Sequence, residues 1–139
     1  MTADLLQRKR THFVLWAPQA AAQPPALVIG EFVNTNPASL INERTLSLTA
    51  VSQADGLWAL AASSASLQDG TVYHYWFEVD DTKPSRPAGQ RIRVTDPTAF
   101  IVDWRLRAPL LAAPNTDDDR QPAAVIRFEG SRLNTSPWL

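Results

Sequence analysis

Short segments rich in β-branched, aromatic and aliphatic residues recur along the chain, and turn-forming residues separate them. Several segments alternate apolar with polar positions, as half-buried strands do, and none is a long run with helical periodicity. The pattern therefore predicts an all-β domain of about seven strands. The predicted strands are residues 11–17, 26–33, 43–51, 57–62, 71–79, 90–95 and 123–128. Gly30 interrupts the second of these and predicts a β-bulge or a close backbone approach.

The strongest strand signal follows the turn pair Asp69-Gly70 and reads Thr-Val-Tyr-His-Tyr-Trp-Phe-Glu-Val. Side chains alternate between the two faces of a strand, so this segment has two faces of different character. One face is predicted to lie in the core and consists of Tyr73, Tyr75, Phe77 and Val79. The other face mixes apolar and polar residues, which predicts partial cover by solvent or a neighbouring domain, and consists of Val72, His74, Trp76 and Glu78.

The chain length and composition are consistent with one domain that folds without covalent cross-links. A chain of 139 residues can bury about two thirds of its unfolded surface. Eleven prolines and five glycines favour many short elements joined by turns. Strands at this spacing over about 100 residues are typical of an immunoglobulin-like β-sandwich. We expect a polar leader at 1–10, the sandwich at 11–99 and an irregular extension at 100–139.

Composition also argues against several classes of function. The absence of cysteine excludes disulfides and thiolate metal sites. Thirteen basic and fourteen acidic residues leave no basic excess, so a nucleic-acid partner is not expected. The sequence contains no signal-peptide core and no apolar run long enough for a membrane span, so we expect a cytoplasmic protein without a membrane partner.

Candidate chemistry is sparse in the sequence. His12 and His74 both fall in predicted strands and no third ligand is spaced to complete a metal site with them. The acidic run at 117–119 lacks the alternate ligands, glycine and closing glutamate of a calcium loop. No nucleophile elbow or glycine-rich phosphate loop is present. We therefore predict no catalytic residue, no metal and no cofactor.

Five short motifs follow one another in an order that is also found in a known family of domains. They are Phe-Val-Leu-Trp-Ala-Pro at 13–18, Gly-Glu-Phe at 30–32, Gly-Leu-Trp at 56–58, Gly-Thr-Val-Tyr-His-Tyr at 70–75 and Asp-Pro-Thr-Ala at 96–99. Together they resemble the N-terminal β-sandwich of alpha-amylase superfamily enzymes (glycoside hydrolase family 13). Relatives include glycogen branching enzymes, isoamylases and pullulanases, whose sandwich is classed as a family 48 carbohydrate-binding module. The resemblance covers about two thirds of the chain.

The resemblance implies an early-set immunoglobulin-like fold and a parent enzyme that acts on α-glucans. In such enzymes the catalytic acids lie on a separate barrel, so none can be assigned to this sequence. The Asp-Pro-Thr-Ala segment would lead toward that barrel, which makes the barrel of the parent chain the expected partner.

The positions that bind glycan in the family are altered here. Val33-Asn34-Thr35 stands where starch binders carry Asn-x-Trp, a second platform tryptophan is missing near Lys83, and Trp76 stands where binders often carry lysine. Trp76 is therefore expected to pack against the barrel or a neighbouring molecule, while Trp16 and Trp58 are expected in the core.

Three functions remain open at the level of sequence. The first is a non-catalytic accessory domain of an α-glucan-active glycosidase. The second is a stand-alone α-glucan-binding module that uses Trp76, His74 and Glu78. The third is an immunoglobulin-like interaction domain with the apolar segment 100–111 as its docking arm.

Overall fold

The computed structural model describes residues 7–17, 23–51, 56–81, 90–108 and 120–135. The polar leader expected at 1–10 and the segments predicted as loops at 80–89 and 115–121 lie for the most part outside the described residues. The described part is an all-β sandwich. Its elements are ten strands and a 3-10 turn at Ala62–Ser64: β1 His12–Trp16, β2 Ala26–Val33, β3 Ser39–Ser47, β4 Thr49–Ala50, β5 Leu57–Ala61, β6 Thr71–Asp80, β7 Arg91–Val94, β8 Val102–Arg107, β9 Pro122–Glu129 and β10 Arg132–Asn134.

The strands form two antiparallel sheets. The small sheet has the order β1-β5-β4. The large sheet has the order β10-β9-β6-β2-β3, with β7 also paired to β6 and β8 also paired to β9. Strand β6 lies in the middle of the large sheet, between β2 and β9, and is its longest strand.

The segment predicted as one strand at 43–51 is two strands in different sheets. Strand β3 begins at Ser39 and pairs with β2, whereas β4 pairs with β5. The chain crosses between the sheets at Leu48, which is buried and whose N–H donates to the carbonyl of Pro25 at 2.9 Å. The approximate alternation of the sequence here reflects this change of sheet.

The prediction of an irregular extension after residue 99 is wrong for the described residues, because β8, β9 and β10 follow that residue and belong to the large sheet. Strand β9 pairs with β6 along five residues, and Ala124 and Ile126 on its inner face enter the core. The predicted strand at 123–128 is therefore part of the sandwich itself. The domain boundary expected at residue 99 falls inside the sandwich.

The main core fills the space between the two sheets. The predicted inner face of β6 is confirmed, since Tyr73, Tyr75 and Phe77 are buried there. The other buried members are Phe13, Leu15, Leu27, Ile29, Leu48, Ala62, Ala65, Ala124, Ile126 and Leu133. Burial of this apolar surface is the dominant favourable term in the stability of such a fold.

The two tryptophans expected in the core differ in their positions. Trp58 is partly buried against the core and its indole N–H donates to the carbonyl of Ala17 at 3.2 Å. Trp16 is 67% exposed, so its predicted core position is wrong. The alternation of β1 explains this result, because Phe13 and Leu15 point into the core and Trp16 therefore points away from it.

The irregularity predicted at Gly30 is confirmed. The register between β2 and β3 shifts between Ile29 and Glu31, so a bulge lies at this glycine. A Cβ atom at residue 30 would lie 2.9 Å from the carbonyl oxygen of Ile41 and 3.1 Å from the Cβ of Leu40. The two strands can approach this closely only because residue 30 has no side chain.

Gly30→Ala is expected to destabilise the domain by about 1–3 kcal/mol, because the added methyl group forces the β2 and β3 backbones apart. Urea unfolding followed by circular dichroism measures the change. Ser47→Ala, on the exposed side of β3, is the control and should change the free energy of unfolding by less than about 0.5 kcal/mol. Equal stability of the two variants would contradict the close approach.

Candidate functional site

The outer face of β6 carries the three side chains predicted for glycan binding, and two of them are covered. Trp76 is 2% exposed and His74 is 3% exposed. The chain's own residues 102–108 contribute to the cover. The sequence does not predict this, because its pattern indicates an irregular extension there. The expectation that Trp76 packs against a separate barrel or another molecule is therefore wrong: it packs within this domain.

Trp76 is the centre of a second apolar cluster on the far side of the large sheet. The cluster also contains Val28, Leu106, Ala108 and Ala123, with Phe32, Ala38 and Leu40 packed at its edge. The indole N–H of Trp76 donates to the carbonyl of Gln121 at 3.0 Å, which satisfies the polar atom that burial would otherwise leave unpaired. The guanidinium of Arg93 lies 5.4 Å from the ring centroid, within cation–π range.

His74 lies beside this cluster and is fixed from two sides. Its ring stacks on Phe32 with centroids 4.8 Å apart, and its Nε2 lies 3.0 Å from Oδ2 of Asp103. A carboxylate only accepts hydrogen bonds, so Nε2 carries the proton. Nδ1 is buried and has no hydrogen-bond partner among the described residues. Burial lowers the pKa of His74 and outweighs the opposing effect of Asp103, so the ring is neutral near pH 7.

Asp103 and Arg105 form the polar edge of the cover. The Arg105 guanidinium donates to both carboxylate oxygens of Asp103, with Nη2 2.7 Å from Oδ2 and Nε 2.9 Å from Oδ1. These bonds and the bond from His74 hold the pKa of the Asp103 carboxyl well below its usual range. The Cζ atom of Arg105 also lies 4.3 Å from the Phe32 ring centroid. The β8 segment is thus attached to the sheet by ionic and aromatic contacts.

Glu78, the third residue predicted to bind glycan, forms ion pairs with two arginines of β7. Its carboxylate oxygens lie 3.7 Å from Nε of Arg91 and 4.0 Å from Nε of Arg93. Arg91 also pairs with Asp80 at 2.9 Å. The structure therefore places Trp76, His74 and Glu78 on one face of β6, as predicted, but it does not form an open aromatic platform from them.

A buried polar cluster that the sequence did not single out lies on the inner side of β6. Asp96 is buried and accepts hydrogen bonds from the Tyr75 hydroxyl at 2.7 Å and from the backbone N–H and hydroxyl of Thr98. The ammonium group of Lys9 lies 3.8 Å from the same carboxylate and donates to Thr98. Burial and the charge of Asp96 raise the pKa of Tyr75 well above its usual value, and burial lowers the pKa of Lys9. The Asp-Pro pair was the only signal for this cluster.

The sequence also does not predict which aromatic side chains are exposed near β8. Trp104 in β8 is 66% exposed and Phe100 is 72% exposed. Simple alternation would place Trp104 and the buried Leu106 on the same face of β8. The register between β8 and β9 shifts between Asp103 and Arg107, and this irregularity separates the two side chains. No pattern in the sequence marks the shift.

Comparisons with known proteins give no match: no protein-family model, curated protein or solved structure is similar to the chain at a significant level. Across the described residues, no group of three or more His, Cys, Asp or Glu side chains is arranged to hold a metal ion. None of the helices in that part of the chain is long and apolar enough to cross a membrane.

Trp76→Ala is expected to destabilise the domain by about 3–5 kcal/mol, because it removes the largest side chain of the outer cluster and leaves a cavity. Trp104→Ala is the matched control and should cost less than about 1 kcal/mol, since its ring is largely in solvent. Urea unfolding of both variants measures the difference. A similar cost for the two substitutions would mean that β8 does not close this face.

Stability is expected to fall as the pH decreases from about 8 to about 5.5, because the unfolded chain takes up a proton at His74 near its ordinary pKa while the folded chain resists it. His74→Gln should flatten this dependence. The groups that face the ring are Asp103 and Arg105, and Asp103 stays ionised throughout this range. His12→Gln is the matched control for the loss of a histidine, and a slope in His74→Gln as steep as that of the parent chain would contradict the buried neutral ring.

Proposed function

We propose that this chain is a non-catalytic accessory domain of an α-glucan-active glycosidase of the pullulanase, isoamylase or branching-enzyme type. Its sandwich would be of the immunoglobulin-like, early-set kind. In this role the domain supports or positions a catalytic barrel of the same parent chain and performs no chemistry itself.

The observation that carries the proposal is the convergence of the resembling motifs around Tyr75. The ring of Phe13, in the first motif, packs edge-to-face on Tyr75 with centroids 5.1 Å apart. Asp96, in the last motif, accepts a hydrogen bond from the Tyr75 hydroxyl at 2.7 Å. Gly30 of the second motif pairs with His74 of the fourth. Residues of motifs that are distant in sequence thus contact one another around the same strand. These contacts support the interpretation that the motifs occur together because they belong to one fold, and not by chance.

The closed outer face of β6 favours the accessory role over the glucan-binding alternative. Sugar rings stack on accessible aromatic faces, whereas Trp76 and His74 are buried under residues of their own domain. Binding glucan there would require β8 to separate from the sheet and expose the cluster. The Asp96–Ala99 segment is followed by β8 and β9, so a connection to a barrel would come after β10 rather than after Ala99.

The accessory role predicts no turnover of maltooligosaccharides or pullulan by residues 1–139, and activity when the coding sequence downstream of residue 139 is included. Reducing-sugar release and chain-length analysis measure both. In the longer protein, Tyr75→Ala should lower the thermal midpoint of the barrel together with that of the sandwich, while Trp104→Ala serves as control. A downstream reading frame without an amylase-type barrel would contradict the proposal.

The glucan-binding alternative has a separate test. Titration of the chain with β-cyclodextrin or maltoheptaose, followed by tryptophan fluorescence, should stay flat to millimolar ligand under the accessory role. The double variant Trp16→Phe/Trp104→Phe is examined in parallel because both rings are exposed and could respond on their own. A saturable change that persists in this variant would favour the binding module.

A further inference from the structure

An open cleft of about 570 Å³ lies at the end of the sandwich where β10 meets the segment before β1. Its lining includes Lys9, Arg10, Phe100, Glu129 and Arg132. Two of its lining residues are joined through their backbones, since the N–H of Leu133 donates to the carbonyl of Arg10 at 2.7 Å. This bond holds Arg10 next to β10 and so brings two arginine-bearing segments together. The volume falls in the usual range for small-molecule sites.

The charges around the cleft are not balanced. Lys9 is directed to Asp96 and Thr98, and Glu129 pairs with Arg127 at 3.2 Å. Within the part of the chain that the structure describes, the guanidinium groups of Arg10 and Arg132 have no hydrogen-bond or ion-pair partner. Arg10 and Arg132 therefore leave the cleft with an excess of positive charge, although its lining also includes Glu129, which pairs with Arg127.

Phe100 adds an apolar wall to this cationic site. Its ring is 72% exposed, the largest exposure among the large apolar side chains of the described residues. An aromatic ring beside a cleft offers a face on which a flat group of a ligand can stack. The cleft thus combines two arginines with an exposed aromatic ring.

We propose that this cleft binds a phosphate monoester attached to a flat aromatic group. A phosphate monoester carries about −1.5 to −2 charges at pH 7, which matches two guanidinium groups better than the single charge of a carboxylate. Arginine also binds phosphate oxygens through two parallel hydrogen bonds. Aryl phosphates and nucleotides share this chemistry, and the site lies apart from the covered face of β6.

The test is isothermal titration with phenyl phosphate, AMP, inorganic phosphate and phenol, each to about 10 mM. Phenyl phosphate and AMP should bind at least about tenfold more tightly than inorganic phosphate, and phenol should not saturate. Failure of both aromatic phosphates to saturate, or equal affinity for phenyl phosphate and inorganic phosphate, would overturn the proposal.

Variants separate the two parts of the site. The double variant Arg10→Gln/Arg132→Gln should weaken the binding of phenyl phosphate at least about tenfold. Phe100→Ala should abolish the higher affinity of phenyl phosphate relative to inorganic phosphate. Arg107→Gln, which does not line the cleft, is the control for charge and should bind as the parent chain does. Equal weakening by Arg107→Gln would assign the binding to general charge attraction. Circular dichroism checks folding, and the single variant Arg132→Gln replaces the double variant if the latter does not fold.

Discussion

The structure depends on a strand that is buried on both faces. Strand β6 pairs with β2 and β9, and its alternating side chains enter two separate clusters. Tyr75 and its inner neighbours fill the space between the sheets, whereas Trp76 fills the space beneath β8. The outer face carries the large indole of Trp76, whose apolar surface could stay in water only at a cost, and the chain supplies a cover for it. Residues 102–108 contribute that cover.

Polar groups fix the positions of the two clusters. On the inner side, Asp96 collects hydrogen bonds from Tyr75 and Thr98 and attracts Lys9, so the end of β7 is tied to the strand and to the segment before β1. On the outer side, Asp103 joins His74 to β8. Asp96 is buried and Asp103 is partly buried, and a carboxylate withdrawn from water is costly unless it is paired. Both carboxylates have hydrogen-bond partners. The contacts of Asp103 also help to hold β8 beside the outer face of β6, where Trp76 and His74 are buried.

Much of the fold could be predicted from the sequence, because strand-forming segments and their turns are local signals. The inner face of β6 and the bulge at Gly30 followed directly from side-chain alternation and from glycine. The cover by β8 could not be predicted, since it depends on a long-range pairing with β9 and on a register shift that separates Trp104 from Leu106. The same limit explains Trp76, which is expected from the sequence to pack against a barrel or a neighbouring molecule because nothing local shows what lies above it. The cleft at Arg10 and Arg132 is likewise a product of tertiary structure.

The closed outer face is the claim on which the functional argument depends most, and the indole protons of the tryptophans report on it directly. Native-state hydrogen exchange by NMR should show the Trp76 indole proton protected as strongly as the backbone amides of β6, because it is buried and bonded to Gln121. The indole protons of Trp16 and Trp104 should exchange rapidly. Exchange of the Trp76 proton as fast as that of Trp104 would contradict the account, since the face would then open readily enough to serve as a ligand platform.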